Sequence, residues 1–187
     1  MDPIYSEETR VIFVWLDLEM TGLIPEQDRI LEIATVLTDT QLNVIEQGPS
    51  LVVHQPDAVL EVMSDVVTQM HKQSGLYEAV QQSTYALTDA QQYTCNFLEK
   101  YNDDQTIFQL AGNSVYQDRA FIRQHMPQLH TMLHYRLIDV STVKSLVRYW
   151  YPKSAENRIK KEEVHRALDD AYESIEELRH YRKHFFG

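Results

Sequence analysis

Cysteine is nearly absent from this chain: Cys95 is the only one in 187 residues. An intrachain disulfide is thereby excluded, and a thiolate metal cluster is not expected. Glycine and proline are sparse too, at 5 and 6, so no stretch is low-complexity, and no internal repeat is visible. The longest apolar run, Val11–Leu16, is far too short to cross a membrane. The opening Met1-Asp2-Pro3-Ile4 has no signal-peptide pattern, and a reducing, cytoplasmic setting is the expectation. Basic charge is also short: 17 Lys and Arg stand against 28 Asp and Glu, for a net charge of −11. Proteins that grip long nucleic acid through many phosphates usually present a basic surface. Either nucleic acid is not the substrate, or the substrate is short and held by metal ions and a few local cations. No Gly-rich phosphate loop or nucleophile elbow occurs. What is present is an ordinary globular composition, 43% hydrophobic and 24% charged, long enough for a single domain over 1–187 with a sizeable core.

The most informative stretch is Val11–Gly22, V-I-F-V-W-L-D-L-E-M-T-G. A short, strongly apolar run predicts a buried strand over Val11–Glu19. Strand side chains alternate, so Asp17 and Glu19 point the same way, about 6.6–6.8 Å apart along the strand. Two acids at the end of a central strand are costly unless a cation lies between them, and a divalent metal is the natural candidate. An acidic strand end facing water is the plain alternative.

The rest of the chain predicts an α/β fold. Arg29–Thr38 reads as a second strand, and Leu42–His54 as a third, broken at Gly48-Pro49. Their short connections imply an antiparallel meander. Short helices are expected over Asp57–Met63 and Asp65–Gln73. Another is opened by Thr88-x-x-Gln91, which resembles a capping box, and carries Ala90, Tyr93, Phe97, Leu98 and Tyr101 at helical spacing. The pattern then alternates: strand Ile107–Ala111, a helix opened by Ser114-x-x-Gln117 and interrupted at Pro127, strand Leu137–Val140, a helix capped by Ser141 or Thr142, a loop over Tyr151–Lys161, and a last helix from about Arg166 to His184. Helices between the later strands imply parallel pairing. The sum is a mixed five-stranded sheet, antiparallel over its first three strands and parallel after, flanked by helices.

Two further constellations carry chemistry. Asp118 follows Gly112-Asn113-Ser114 at a strand-to-helix junction, where open α/β sheets collect ligands; an acid in a first helical turn is also favoured by the helix dipole alone. His165-Arg166-Ala167-Leu168-Asp169-Asp170 offers a base and paired acids. If His165 is helical, about 100° per residue places Asp169 beside it. If His165 lies in the preceding loop, that rule lapses, and Asp170 shares a strip with the small residues Ala167, Ala171 and Ser174.

Together, D-L-E-M-T-G-L, A-G-N-S-V-Y-Q-D, H-Y-R-L-I-D-V-S-T-V-K and H-R-A-L-D-D, in this order, resemble the DEDDh family of 3′→5′ exonucleases, and within it the oligoribonucleases. The resemblance covers nearly the whole chain. It implies a ribonuclease-H-like fold and two bound Mg²⁺ or Mn²⁺ ions. It carries over Asp17, Glu19, Asp118 and Asp170 as metal ligands and His165 as general base, and it selects Asp170 over Asp169. It implies action on very short RNA, down to dinucleotides, with release of nucleoside 5′-monophosphates by a homodimer. By position, Leu23 becomes a wedge between two bases; His71, Ser114, Arg136 and Ser141 lie around the substrate; Tyr135 reaches the partner subunit's active site. The pattern departs at Val66, where the family usually has Trp.

The acidic surface fits this picture, because a dinucleotide has too few phosphates to need a long basic groove. Capping its 5′-phosphate with Arg136 and hydroxyls restricts length. Two rivals stand beside it. One keeps the chemistry and trims longer RNA or DNA ends; the other is a non-catalytic, dimeric nucleotide-binding module.

Overall fold

In the computed structural model, residues 9–154 and 165–186 are described. Five strands, β1 (Arg10–Met20), β2 (Ile30–Thr38), β3 (Val44–Val52), β4 (Thr106–Gly112) and β5 (Leu133–Asp139), form one sheet in the order β3-β2-β1-β4-β5. β1–β2 and β2–β3 are antiparallel; β1–β4 and β4–β5 are parallel. The mixed five-stranded sheet read from the sequence is therefore observed. The most apolar strand, β1, lies at its centre, where burial on both faces costs nothing polar.

Alternation along β1 sorts its side chains onto two cores. Ile12, Val14, Leu16 and Leu18 face one side, with α4 (Leu87–Glu99), α5 (Tyr116–His125) and α6 (Pro127–Met132). Trp15 faces the other, with α7 (Val140–Trp150) and α8 (Ala167–Phe185). Asp17 and Glu19 continue the Trp15 register and so emerge on the α8 side. A smaller cluster, with Leu60, Met63, Leu76 and Val80, lies under α1 (Asp57–Leu60), α2 (Asp65–Gln73) and α3 (Leu76–Gln82).

Several local expectations are corrected. Gly48-Pro49 does not break β3. The ladder steps from Ala34↔Ser50 to Val36↔Gln47, so the pair sits in an irregularity of an edge strand, where a missing N–H is tolerated. A Cβ at Gly48 would collide with the Phe97 ring. The box Thr88-x-x-Gln91 is displaced: Asp89 Oδ2 accepts from Ala86 N–H at 2.8 Å, and the helix opens at Leu87. Ser114 does not cap α5; it has φ +50°, and Val115 takes the N-cap. α7 is capped by Asp139, which accepts from Ser141 N–H at 2.9 Å, rather than by Ser141 or Thr142. Pro127 ends α5 but occupies the first turn of α6, where its missing N–H is harmless. β5 starts four residues earlier than expected, at Leu133. Most of the loop expected over Tyr151–Lys161 lies outside the described residues.

Candidate active site

The parallel ladder between β1 and β4 stops at Trp15↔Ala111. Beyond it, β1 runs on with an open edge, and Asp118 fills that edge from the first turn of α5. Its Oδ1 accepts from Leu18 N–H at 3.0 Å, and the side chain is buried. Asp17 and Glu19 leave the same strand end toward α8, where Asp170 meets them. Ligand oxygens of Asp17, Glu19 and Asp170 lie within 4.8 Å of one another. Asp118 stands outside this trio.

The choice between Asp169 and Asp170 follows from where the last helix begins. His165 has φ +53° and Arg166 is the N-cap, so neither belongs to α8. Helical spacing from His165 consequently does not apply. Asp170 meets Asp17 and Glu19, while Asp169 is exposed. The small strip is confirmed: Ala167, Ala171 and Ser174 are buried.

So many acids in one place hold one another's protons. Burial, joined by Asp118, Asp170, Glu19 and Glu32, raises the Asp17 carboxyl well above its ordinary value. Burial, joined by Asp170, Glu32 and Asp118, pushes Glu19 up to about 8, against the lowering influence of Arg166. Burial raises Asp118 as well, opposed by the Leu18 N–H. Converging hard oxygen donors with raised affinity for positive charge fit a divalent cation.

His71 is wholly buried. One ring nitrogen, Nε2, lies 3.0 Å from the Met20 carbonyl oxygen and the other, Nδ1, 3.8 Å from Glu19 Oε2. Burial lowers its pKa, helped by the nearby charge of His165. His71, expected around the substrate, therefore backs the Glu19 end of the cluster and has no surface open to a ligand in this conformation.

The loop after β1 is tied down on all sides. Asp28 accepts from Thr21 Oγ1 at 2.9 Å and from Ile24 N–H at 2.8 Å. A Cβ at Gly22 would fall 2.5 Å from the Asp28 carboxylate, so glycine is needed for this close approach. From α5, Gln117 Nε2 donates to the Leu23 carbonyl at 2.5 Å, and His125 Nε2 lies 2.7 Å from the Pro25 carbonyl. The result presents Leu23 to solvent, 68% exposed.

At the carboxyl ends of β4 and β5, Ser114 and Ser141 come together, their hydroxyls 3.1 Å apart. Asp139 Oδ1 accepts from both backbone N–H groups, and Ser141 Oγ donates to Asn113 Oδ1 at 3.1 Å. Asn113 Nδ2 donates in turn to Ser174 and Glu177 on α8. Arg136 and exposed Tyr135, on the edge strand β5, contact each other, with Nε donating to the Tyr135 hydroxyl at 3.0 Å. Val66 is 78% exposed on α2.

The sequence reading missed Glu32, Arg166, Gln117, Asn113 and Asp139 as parts of the site. Glu32 had a legible signal: it is the only charged residue in the strand I-L-E-I-A-T-V-L-T. The others contact backbone or distant side chains, which spacing does not reveal.

The exonuclease (RNase T) family model matches residues 14–178. The oligoribonuclease of Marinobacter nauticus is 50% identical over 173 residues, 92% of this chain and 95% of that protein. The mitochondrial oligoribonuclease of Mus musculus is 49% identical over 173 residues, 92% of this chain and 73% of that protein. Among solved structures, an exonuclease I from Methylocaldum szegediense superposes with a TM-score of 0.68 at 18% identity, covering 94% of this chain. This chain spans 41% of that longer protein, and the likeness concerns the fold. Among the described residues no helix is long and apolar enough to cross a membrane. Sequence, sheet order and acidic cluster converge, and the chain belongs to the oligoribonucleases of the exonuclease family.

Proposed function

We propose that this chain is a metal-dependent 3′→5′ exoribonuclease that hydrolyses very short RNA, down to dinucleotides, to nucleoside 5′-monophosphates. The observation that carries the reading is the convergence of Asp17, Glu19 and Asp170 oxygens within 4.8 Å at the end of β1. Asp17, Glu19, Asp118 and Asp170 would hold two Mg²⁺ or Mn²⁺ ions, which would supply positive charge for an in-line displacement at phosphorus.

The chain's own residues do the rest. His165 accepts a proton from the attacking water as its oxygen bonds to phosphorus. The bond from phosphorus to the 3′-oxygen of the preceding nucleotide breaks, that oxygen takes up a proton, and the phosphate leaves with the 3′-terminal nucleoside. The Ser114 and Ser141 hydroxyls, with Arg136, hold the phosphate at the 5′ end. Leu23 inserts between the bases, and its tied loop limits the entropy lost on binding. His71 steadies Glu19. The whole of 1–187 acts as one exonuclease domain, in the cytoplasm, as a homodimer in which Tyr135 reaches the partner subunit's active site.

Replacing Asp17 by Ala tests the reading. Hydrolysis of a 5′-labelled dinucleotide should fall below detection, with circular dichroism unchanged. Undiminished turnover would reject the assignment.

A further inference from the structure

Glu32 is an acid where none is expected. It is 1% exposed, near the start of β2, and directly opposite Glu19 in the β1–β2 ladder. Facing like charges on one side of a sheet are unfavourable. The compensation comes from a different element. Arg166 lays its guanidinium on the carboxylate, with Nε 3.1 Å from both oxygens and Nη2 2.6 Å from Oε1, and Ala167 N–H donates to Oε2 at 3.0 Å. Arg166, at the N-cap of α8, makes no side-chain cap bond of its own, so Glu32 supplies from the sheet an acceptor for the first helical N–H.

A buried ion pair adds little net stability over a well-packed apolar replacement. What a fork-on-carboxylate contact provides is direction, because two parallel donors admit one orientation. Here that orientation fixes residues 166 and 167, immediately after His165. His165 itself holds φ +53°, a left-handed conformation that a non-glycine residue keeps only when its surroundings enforce it. We propose that the Glu32–Arg166 pair is the positioning clamp for His165, holding the imidazole at the acidic cluster in the one backbone conformation from which it reaches the attacking water. This rests on the reading of His165 as general base.

Two variants separate geometry from charge. Glu32→Gln/Arg166→Met removes the pair without leaving a lone buried charge, and Arg166→Lys keeps the charge but loses the fork. With a 5′-labelled RNA dinucleotide and Mn²⁺, the double variant should lose about 10–100-fold in kcat, with KM within about threefold of wild type and an unchanged circular dichroism spectrum. Arg166→Lys should recover part of the loss. Added to His165→Ala, the pair removal should cost less than about threefold more, since residues acting as a unit are non-additive. A folded double variant with kcat within about twofold of wild type overturns the clamp, as does a full multiplicative loss on the His165→Ala background. His165→Ala with wild-type kcat overturns both the base and the clamp, and a wild-type chain that releases no mononucleotide overturns the exoribonuclease reading together with them.

Discussion

Replacing Glu19 by Gln separates what the acidic cluster costs from what it does. The Glu19 carboxyl rises from 4.5 to about 8 through burial and the charges of Asp170, Glu32 and Asp118. A carboxyl raised in this way binds its proton more tightly folded than unfolded. Its favourable contribution is fully present below the unfolded value and is lost as pH climbs through the folded one. Without metal, the wild-type chain should therefore lose stability between 4.5 and about 8. The interval corresponds to at most about 5 kcal/mol, and screening at the mouth of the site reduces it to about 2 kcal/mol. Glutamine keeps the shape and stays neutral, so it should spare that loss. For a chain of this size, each kcal/mol moves Tm by about 2–4 °C. In chelator, the variant should melt about 4–8 °C above wild type near pH 9, and within about 1 °C of it near pH 5. Mn²⁺ should then raise the wild-type Tm by mass action and raise that of the variant less. Differential scanning fluorimetry reads all of these values. A variant that melts at or below wild type at the higher pH would refute the electrostatic reasoning, whatever its activity.

Other perturbations probe the substrate surface. Arg136→Ala should lower kcat/KM on 5′-phosphorylated dinucleotides by about 10–100-fold, the worth of one charge-assisted hydrogen bond, and narrow the preference over longer RNA; steady-state kinetics on two lengths would show it, and an unchanged ratio would remove Arg136 from length selection. Val66, 78% exposed, leaves room for a larger side chain, so Val66→Trp should lower KM for dinucleotides about tenfold through stacking on a base. An unchanged KM would place Val66 off the substrate path.

Legibility followed the strength of local signals. β1 and β2 could be read to within a residue or so because nothing but a buried strand explains such apolar density. α3 was missed because it starts after Gly75 at φ +72°, with no side-chain cap and only seven residues. The capping boxes failed for a different reason. Ser114 resembles a cap in sequence, but its left-handed backbone and its bonds to Asp139 and Ser141 commit it elsewhere. Asp17 and Glu19 were legible because a strand fixes their direction. Asp170 needed the family resemblance, since the answer depended on whether His165 was helical. Glu32 and Arg166 lie 134 positions apart, and only the folded chain shows that a charge inside β2 is answered from the start of α8. His71, placed around the substrate by the resemblance, is packed behind Glu19, a tertiary outcome that helical spacing in α2 does not reveal.

The central claim concerns substrate length, and one measurement addresses it directly. A series of 5′-labelled RNAs from two to twenty nucleotides, digested with Mg²⁺ or Mn²⁺, reports polarity, metal dependence and size selection together. The account predicts stepwise loss of 3′ nucleotides as 5′-monophosphates, strict dependence on the divalent ion, and the highest kcat/KM on the dinucleotide. Faster turnover of the twenty-nucleotide RNA than of the dinucleotide would contradict it.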